Sequence, residues 1–203
     1  MNDRLRQFLL SVSAVAVLCS GGCHTSKPVP SNVVPRINQP PPGKALVNFH
    51  RPSSYAQSVS VPIFDLKGNM LLDIRDGSLF QIVCDPGETV FISWAQFVNS
   101  VDNETVLKAD LAPDKVYDVM VDVSHSWISA NIFLTPLTKV DARRSELAEL
   151  DSRELSTLPF SAGSPSVIEY ETLSRKRIAQ IKKDFLGGEK SWRVKVLAKD
   201  DSR

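Results

Sequence analysis

Between Lys44 and Leu137, short apolar segments alternate with turn-forming residues, which predicts about eight β-strands. The predicted strands are Ala45–Phe49, Ser58–Leu66, Met70–Ile74, Leu79–Cys84, Thr89–Val98, Thr105–Leu111, Tyr117–Val123 and Trp127–Leu134. Turn signals separate them: Lys67–Asn69 predicts a tight turn, and Asp76-Gly77 predicts a hairpin. Asp85–Glu88 predicts a type II turn in which Gly87 supplies the positive φ. Since crossover helices are absent from the pattern, we expect a mainly β fold, an antiparallel sandwich of about eight strands with a C-terminal helical appendage.

Two of these strands alternate clearly enough to assign faces. In Thr105–Leu111 the apolar and polar positions alternate, so one face should be wet. In Tyr117–Val123 the odd positions are apolar, which leaves Asp118, Met120 and Asp122 on the other face. We expect that face to be solvated.

The pattern changes after Pro136, and residues 138–203 read as a C-terminal helical region. Asp141–Leu155 is charged and helix-prone, and Ser166 with Glu169 forms a capping box that begins a helix running to Leu186. One face of that helix carries the apolar residues Tyr170, Leu173, Ile178, Ile181 and Phe185. This face could pack on the sandwich, or the helix could lie on anionic lipid. Trp192–Ala198 could form a last strand, and Asp200–Arg203 should fray.

The first 22 residues predict an export signal. Arg4 and Arg6 precede the apolar run Phe8–Leu18, and small residues lead to Cys23. A run of about eleven residues is shorter than the ~20 needed to span a bilayer. Residues 1–22 are therefore predicted to be cleaved.

The order of an apolar run, small residues and Cys23 resembles the lipobox of bacterial lipoproteins. That resemblance implies a diacylglyceryl-modified Cys23 at the new N-terminus, hence a membrane as partner and the cell envelope as location. Ser20 departs from the aliphatic residue usual at its position, and ordinary secretory cleavage of the same bond is the alternative. His24, in place of Asp, implies an outer membrane facing the periplasm in a diderm host.

Residues 23–43 follow as a lipidated cysteine and a proline-rich tether. Six prolines fall in residues 24–43, a composition that favours extended polyproline II of about 3.1 Å per residue. The predicted organisation is thus a signal (1–22), a tether (23–43), a β-sandwich domain (44–137) and the helical region (138–203).

Charge argues against nucleic acid as a partner. Without residues 1–22 the chain has 22 basic and 22 acidic side chains, whereas phosphate binding requires clustered cations. Lys44–Val140 has 7 basic and 11 acidic residues, and residues 168–203 have 10 and 6. This asymmetry predicts that the basic tail packs against the acidic sandwich.

Candidate chemistry is sparse. Cys84 would be the one thiol left after lipidation of Cys23, and we expect it to be a buried, inert side chain. His50-Arg51 precedes a turn that could expose Arg51 to an anion, although pairing with an acidic side chain is favoured. The pattern contains neither a nucleophile with a base nor a set of metal ligands, so we predict no catalytic residue, cofactor or metal.

The segment from Lys44 to Leu137 resembles lipoprotein-type DUF2846-like domains. The resemblance rests on Ala45–Val47 running into Arg51–Ser54, the Asp85–Glu88 turn, Leu111–Tyr117, and Trp127 followed by Phe133 and Pro136. Glu88–Val90 and Tyr117-Asp118 depart from a histidine and a tyrosine pair in that family. The resemblance implies a small exported β-sandwich without an established activity.

Three functions remain open at this point. The favoured one is a non-enzymatic, lipid-anchored envelope module that binds an envelope protein. The second is an envelope hydrolase with a site where His50 or His125 meets a carboxylate and a hydroxyl. The third is a free periplasmic or secreted binding domain.

Overall fold

Nine strands build the described part of the protein. In the computed structural model they are β1 Ala45–Arg51, β2 Val61–Phe64, β3 Met70–Ile74, β4 Ser78–Cys84, β5 Gly87–Trp94, β6 Glu104–Leu111, β7 Val116–His125, β8 Ala130–Pro136 and β9 Lys195–Leu197. Helical residues 174–186, here called the C-terminal helix, end in the π-helical turn Lys182–Leu186. Short 3-10 helices follow at Ser191–Arg193 and Lys199–Asp201.

The structure describes residues 36–52, 59–94, 104–125, 130–145, 147, 174–188 and 190–203. The side chains of His125, Ala130 and Trp192 are not described. Several predictions fall outside these ranges: the signal, Cys23, most of the tether, the loop before Glu104, most of the helix Asp141–Leu155 and the capping box at Ser166. Within the described ranges, no helix is both long and apolar enough to cross a membrane.

The strands form two mixed sheets. The four-stranded sheet has the order β4-β1-β7-β8 and the five-stranded sheet the order β3-β2-β5-β6-β9. The predicted mainly β, sandwich-like fold is confirmed, but the pairs β1–β7 and β6–β9 are parallel. After β4 the chain forms β5 and β6 in the five-stranded sheet. It then returns to the four-stranded sheet as β7, which runs beside β1 and in the same direction.

The turns after β3 and β4 carry the chain from one sheet to the other. The hairpin predicted at Asp76-Gly77 is wrong, because β3 and β4 belong to different sheets. Gly87 has the expected positive φ of 110°. Between β2 and β3 the predicted tight turn is present, with the Asp65 carboxylate accepting the backbone N–H groups of Lys67 and Asn69.

The main core lies between the two sheets. Alternating side chains of β1 and β7 face those of β2, β5 and β6, as in other sandwiches. Phe49 and Phe91 meet edge to face with ring centroids 5.2 Å apart. Each large side chain buried here contributes about 1.5 to 3 kcal/mol.

The C-terminal helix covers the outer face of the five-stranded sheet, the side turned away from the main core. Its buried residues Ile178, Ile181 and Phe185 pack against side chains of this sheet. The sheet contributes Phe64, Ile92, Trp94 and Val106 to the cluster. Phe64 and Trp94 stack at 4.4 Å, and the Arg177 guanidinium lies 5.2 Å from the Trp94 ring centroid. The described turns of this helix therefore pack on the sandwich, which also explains why Val106, on the predicted wet face, is buried.

Candidate functional site

The polar residues of β1 and β7 meet on the outer face of the four-stranded sheet. The parallel register pairs Asn48 with Asp118 and His50 with Met120. Because side chains alternate along a strand, Asn48, His50 and Asp118 all point away from the main core. All three are nevertheless fully buried.

Asp118 is the centre of this cluster, which we call the Asp118 hub: Asn48, His50, Asp118, Arg144 and Arg203. Oδ1 of Asp118 accepts hydrogen bonds from Asn48 Nδ2 and from His50 Nε2, both at 2.9 Å. Oδ2 accepts one from Arg144 Nη1 at 3.0 Å and lies 3.4 Å from Arg203 Nε. Three other chain segments therefore converge on one carboxylate of β7.

The hub keeps Asp118 ionised. Burial alone would raise the pKa of Asp118, because desolvation disfavours the charged form. Hydrogen bonds from His50 and Asn48, together with the electrostatic effects of Arg203 and His50, outweigh burial and hold the pKa of Asp118 well below its usual range. Since an ionised carboxylate only accepts hydrogen bonds, Nε2 of His50 carries the proton that it donates.

A row of side-chain amides extends the hub to the start of the described chain. Gln81 Nε2 donates to Asn48 Oδ1 at 2.8 Å and to the Ile37 carbonyl at 2.8 Å. The Ile37 N–H in turn donates to Gln81 Oε1. The polar network thus runs across three strands from Ile37 to Asp118.

The prediction that this face of β7 is solvated is wrong for Asp118 and Met120. Met120 packs with Leu137 and Leu147, so the chain after β8 covers the sheet. Asp122, the next residue on this face of β7, is half-exposed and forms a bidentate pair with Arg143.

The predicted fraying of Asp200–Arg203 is also wrong. Ser202 is buried, and the Arg203 N–H donates to the Val116 carbonyl at 2.9 Å. Together with Arg203 Nε at Asp118, these contacts fix the last residues against the beginning of β7.

Arg51 is part of the structure and not an exposed anion site. Its side chain is 2% exposed, and its Nη1 donates to the carbonyls of Val59 and Ile74. Nε lies 4.0 Å from Oδ1 of Asp76, in agreement with the favoured internal pairing. Burial lowers the pKa of Arg51, and the charges of Asp76 and Asp73 oppose that shift.

The other predicted residues lie apart from the hub. Cys84 is free and partly buried against the main core, and burial, with the nearby Asp85 charge, raises the pKa of its thiol to about 11. His125 ends β7, but its side chain lies outside the described part of the chain. Cys23 also lies outside it.

The hub resembles the orienting half of a catalytic triad without its reactive end. A triad needs a nucleophile on the histidine nitrogen that does not face the carboxylate. Here Nδ1 of His50 is buried and has no hydrogen-bond partner among the described residues. The His50 ring is fully buried. Among the described residues, its hydrogen bond is the one that Nε2 donates to Asp118.

A surface groove of about 580 Å³ lies beside Arg203, and neither His50 nor Asp118 lines it. Its walls are Asn38, Gln39, Pro40, Pro42, Asp114, Lys115, Val116 and Arg203. No group of three or more potential metal-ligating side chains occurs within the ranges the structure describes. The hub itself is a cluster of hydrogen bonds and ion pairs around one buried carboxylate.

Sequence reasoning missed three hub residues: Asn48, Arg144 and Arg203. Asn48 had a signal, because it alternates with His50 on one strand. Arg144 and Arg203 had none, since they reach Asp118 through long-range packing.

Comparison with models of protein families gives no match, and comparison with curated proteins gives none either. The resemblance to DUF2846-like domains stays a prediction that rests on the residues given above.

Proposed function

We propose that the protein is a non-enzymatic accessory module of the bacterial cell envelope, anchored by acyl chains on Cys23. The observation that carries the proposal is the position of Cys23 directly after an apolar run and three small residues. Two acyl chains give stable attachment, whereas a single one is marginal at about 0.8 kcal/mol per buried methylene.

The burial of His50 supports the non-enzymatic part of the proposal. A hydrolase built on His50 requires a ring that reaches substrate, together with a hydroxyl in hydrogen-bond range. In the hub, the ring is enclosed and Nε2 is occupied by Asp118. The alternative hydrolase would have to use His125, whose side chain lies outside the described part of the chain.

An envelope protein is the proposed partner. Phe133 supports a role in binding, because it is 42% exposed on β8, an edge strand of the four-stranded sheet. Exposed aromatic residues at a sheet edge are frequent in protein interfaces. A photo-crosslinking residue at position 133, used in intact cells, would capture such a partner, and the same residue at exposed Lys139 serves as the control.

The anchor is tested by a pair of cysteine variants. We expect Cys23→Ser to move the protein from the membrane fraction to the soluble fraction. Cys84→Ser should remain membrane-bound, because Cys84 is a partly buried thiol of the folded domain. Unchanged fractionation of Cys23→Ser would contradict lipidation, and a wild-type protein found in the soluble fraction would favour the free periplasmic or secreted domain.

A further inference from the structure

The exposed side of the C-terminal helix carries a concentrated positive charge. Arg175, Lys176, Lys182 and Lys183 are all exposed and have no ionic partner among the described residues. The apolar residues of the same helix are buried against the five-stranded sheet, so the cations point outward.

The turn between β2 and β3 extends this surface. The Arg175 side chain crosses Gly68, where an added Cβ would lie 2.9 Å from Arg175 Cγ. Lys67, the neighbour of Gly68, is exposed. We call Lys67, Arg175, Lys176, Lys182 and Lys183 the basic face.

Two carboxylates near the basic face are already engaged. Asp65 accepts the N–H groups of its own turn, and Asp184 accepts a hydrogen bond from Gln180 Nε2 at 2.8 Å. By formal charge, the five cations of the basic face and these two carboxylates leave a net charge of +3.

We propose that the basic face docks on the anionic lipid head groups of the membrane to which Cys23 is anchored. This inference rests on the proposed function, because it requires the anchor. An interfacial amphipathic helix inserts its apolar side into lipid. Here that side is in the protein core, so the contact is electrostatic alone.

The strength of such a contact explains why the anchor is needed. Each Lys or Arg near an anionic membrane surface contributes about a fivefold gain in binding. A net charge of +3 therefore gives on the order of a hundredfold, too little to hold a free protein at micromolar concentration. A short tether supplies an effective concentration in the millimolar range, at which the contact becomes populated.

The tether is long enough for this arrangement. Twelve residues separate Cys23 from Arg36, and at about 3.1 Å per residue they reach roughly 37 Å. Two packed sheets are about 10 Å apart, and a helix on one sheet adds about 10 Å. Either outer layer of the sandwich can therefore approach the bilayer.

The test attaches the protein chemically, so that it does not depend on lipidation in cells. A chain beginning at Cys23 retains every described element, since the description begins at Arg36. Cys23 is coupled to a maleimide lipid in vesicles of phosphatidylglycerol and phosphatidylcholine or of phosphatidylcholine alone. Acetylation of each lysine is then followed by mass spectrometry.

We expect Lys176, Lys182 and Lys183 to react at least fivefold more slowly on the anionic vesicles, with protection lost in about 0.5 M salt. Lys115 and Lys139 are exposed beside the four-stranded sheet, and their reactivity should not change. The double variant Lys176→Glu, Lys183→Glu should abolish protection of Lys182. An uncoupled chain with Cys23→Ser should show less than twofold protection.

Equal reactivity of the helix lysines on both kinds of vesicle would overturn docking, as would equal protection of Lys115 and Lys139. Protection by soluble polyglutamate without protection by vesicles would instead indicate an acidic protein as partner. A bare Cys23 recovered from cells would contradict the proposed function, whatever the coupled protein does on vesicles.

Discussion

Nε2 of His50 lies 2.9 Å from Oδ1 of Asp118, and both side chains are completely removed from solvent. The pair joins neighbouring parallel strands on the face opposite the main core. Arg144 and Arg203 approach the other carboxylate oxygen from segments that follow the sandwich. Asp118 thus connects two segments of the C-terminal region to the four-stranded sheet.

Replacing Asp118 with Asn should destabilise the protein by about 3 kcal/mol, because it removes a fully buried carboxylate that accepts the His50 N–H and leaves the partly buried Arg144 and Arg203 without their counter-charge. The free energy of unfolding in urea measures this loss. Asp122→Asn is the matched control on the same face of the same strand, and it should cost less than about 1 kcal/mol since its pair with Arg143 is half-exposed. Equal losses of unfolding free energy in the two variants would contradict the central position of Asp118 in the hub.

The stability contributed by Asp118 should depend on pH. Its pKa is lowered in the folded protein, so the unfolded chain binds the proton first as the pH falls. The contribution is complete above the ordinary carboxylate pKa of about 3.9 and decreases below it, toward the folded-state pKa. The difference in unfolding free energy between wild type and Asp118→Asn should therefore be constant above about pH 5 and shrink toward pH 2. A difference that grows on acidification would contradict this assignment.

Arg203→Ala should destabilise the protein by about 1 kcal/mol, a value reduced by the partial exposure of its side chain. Hydrogen exchange should also accelerate at the backbone N–H of position 203, which donates to the Val116 carbonyl. Lys199→Ala provides the control, because Lys199 forms an exposed pair with Asp110 and should have little effect. If Lys199→Ala had the larger effect, the attachment would not run through Asp118.

Local patterns predicted the strands and some turns, and they failed where distant segments meet. Met70–Ile74 has the predicted bounds, and Gly87 has the predicted positive φ, because both depend on near neighbours. Alternation in β7 separated the two faces correctly, but it could not show that Leu137 and Leu147 cover the second face. Arg203 lies 85 residues beyond Asp118, and no spacing rule relates the two. The hub could be predicted only in part for the same reason. Asn48 and His50 alternate on one strand, whereas Asp118, the partner of both, lies on a strand that is distant in sequence.

The Cys84 thiol should be unreactive in the folded protein. Its pKa of about 11 leaves roughly a hundredfold less thiolate than an ordinary cysteine, and the thiolate is the nucleophile. In a chain beginning at residue 23 with Cys23→Ser, Cys84 is the sole thiol. Alkylation by iodoacetamide at about pH 8 should then be at least a hundredfold slower than in denaturing urea. Similar rates in both conditions would show that the thiol is not buried as described.

The proposed function depends most on the chemistry at Cys23. The direct measurement is the mass of the N-terminal peptide of the protein purified from intact cells. We predict a chain that begins at Cys23 and carries diacylglycerol on its sulfur. An unmodified Cys23, or a peptide that still contains residues 1–22, would contradict the account.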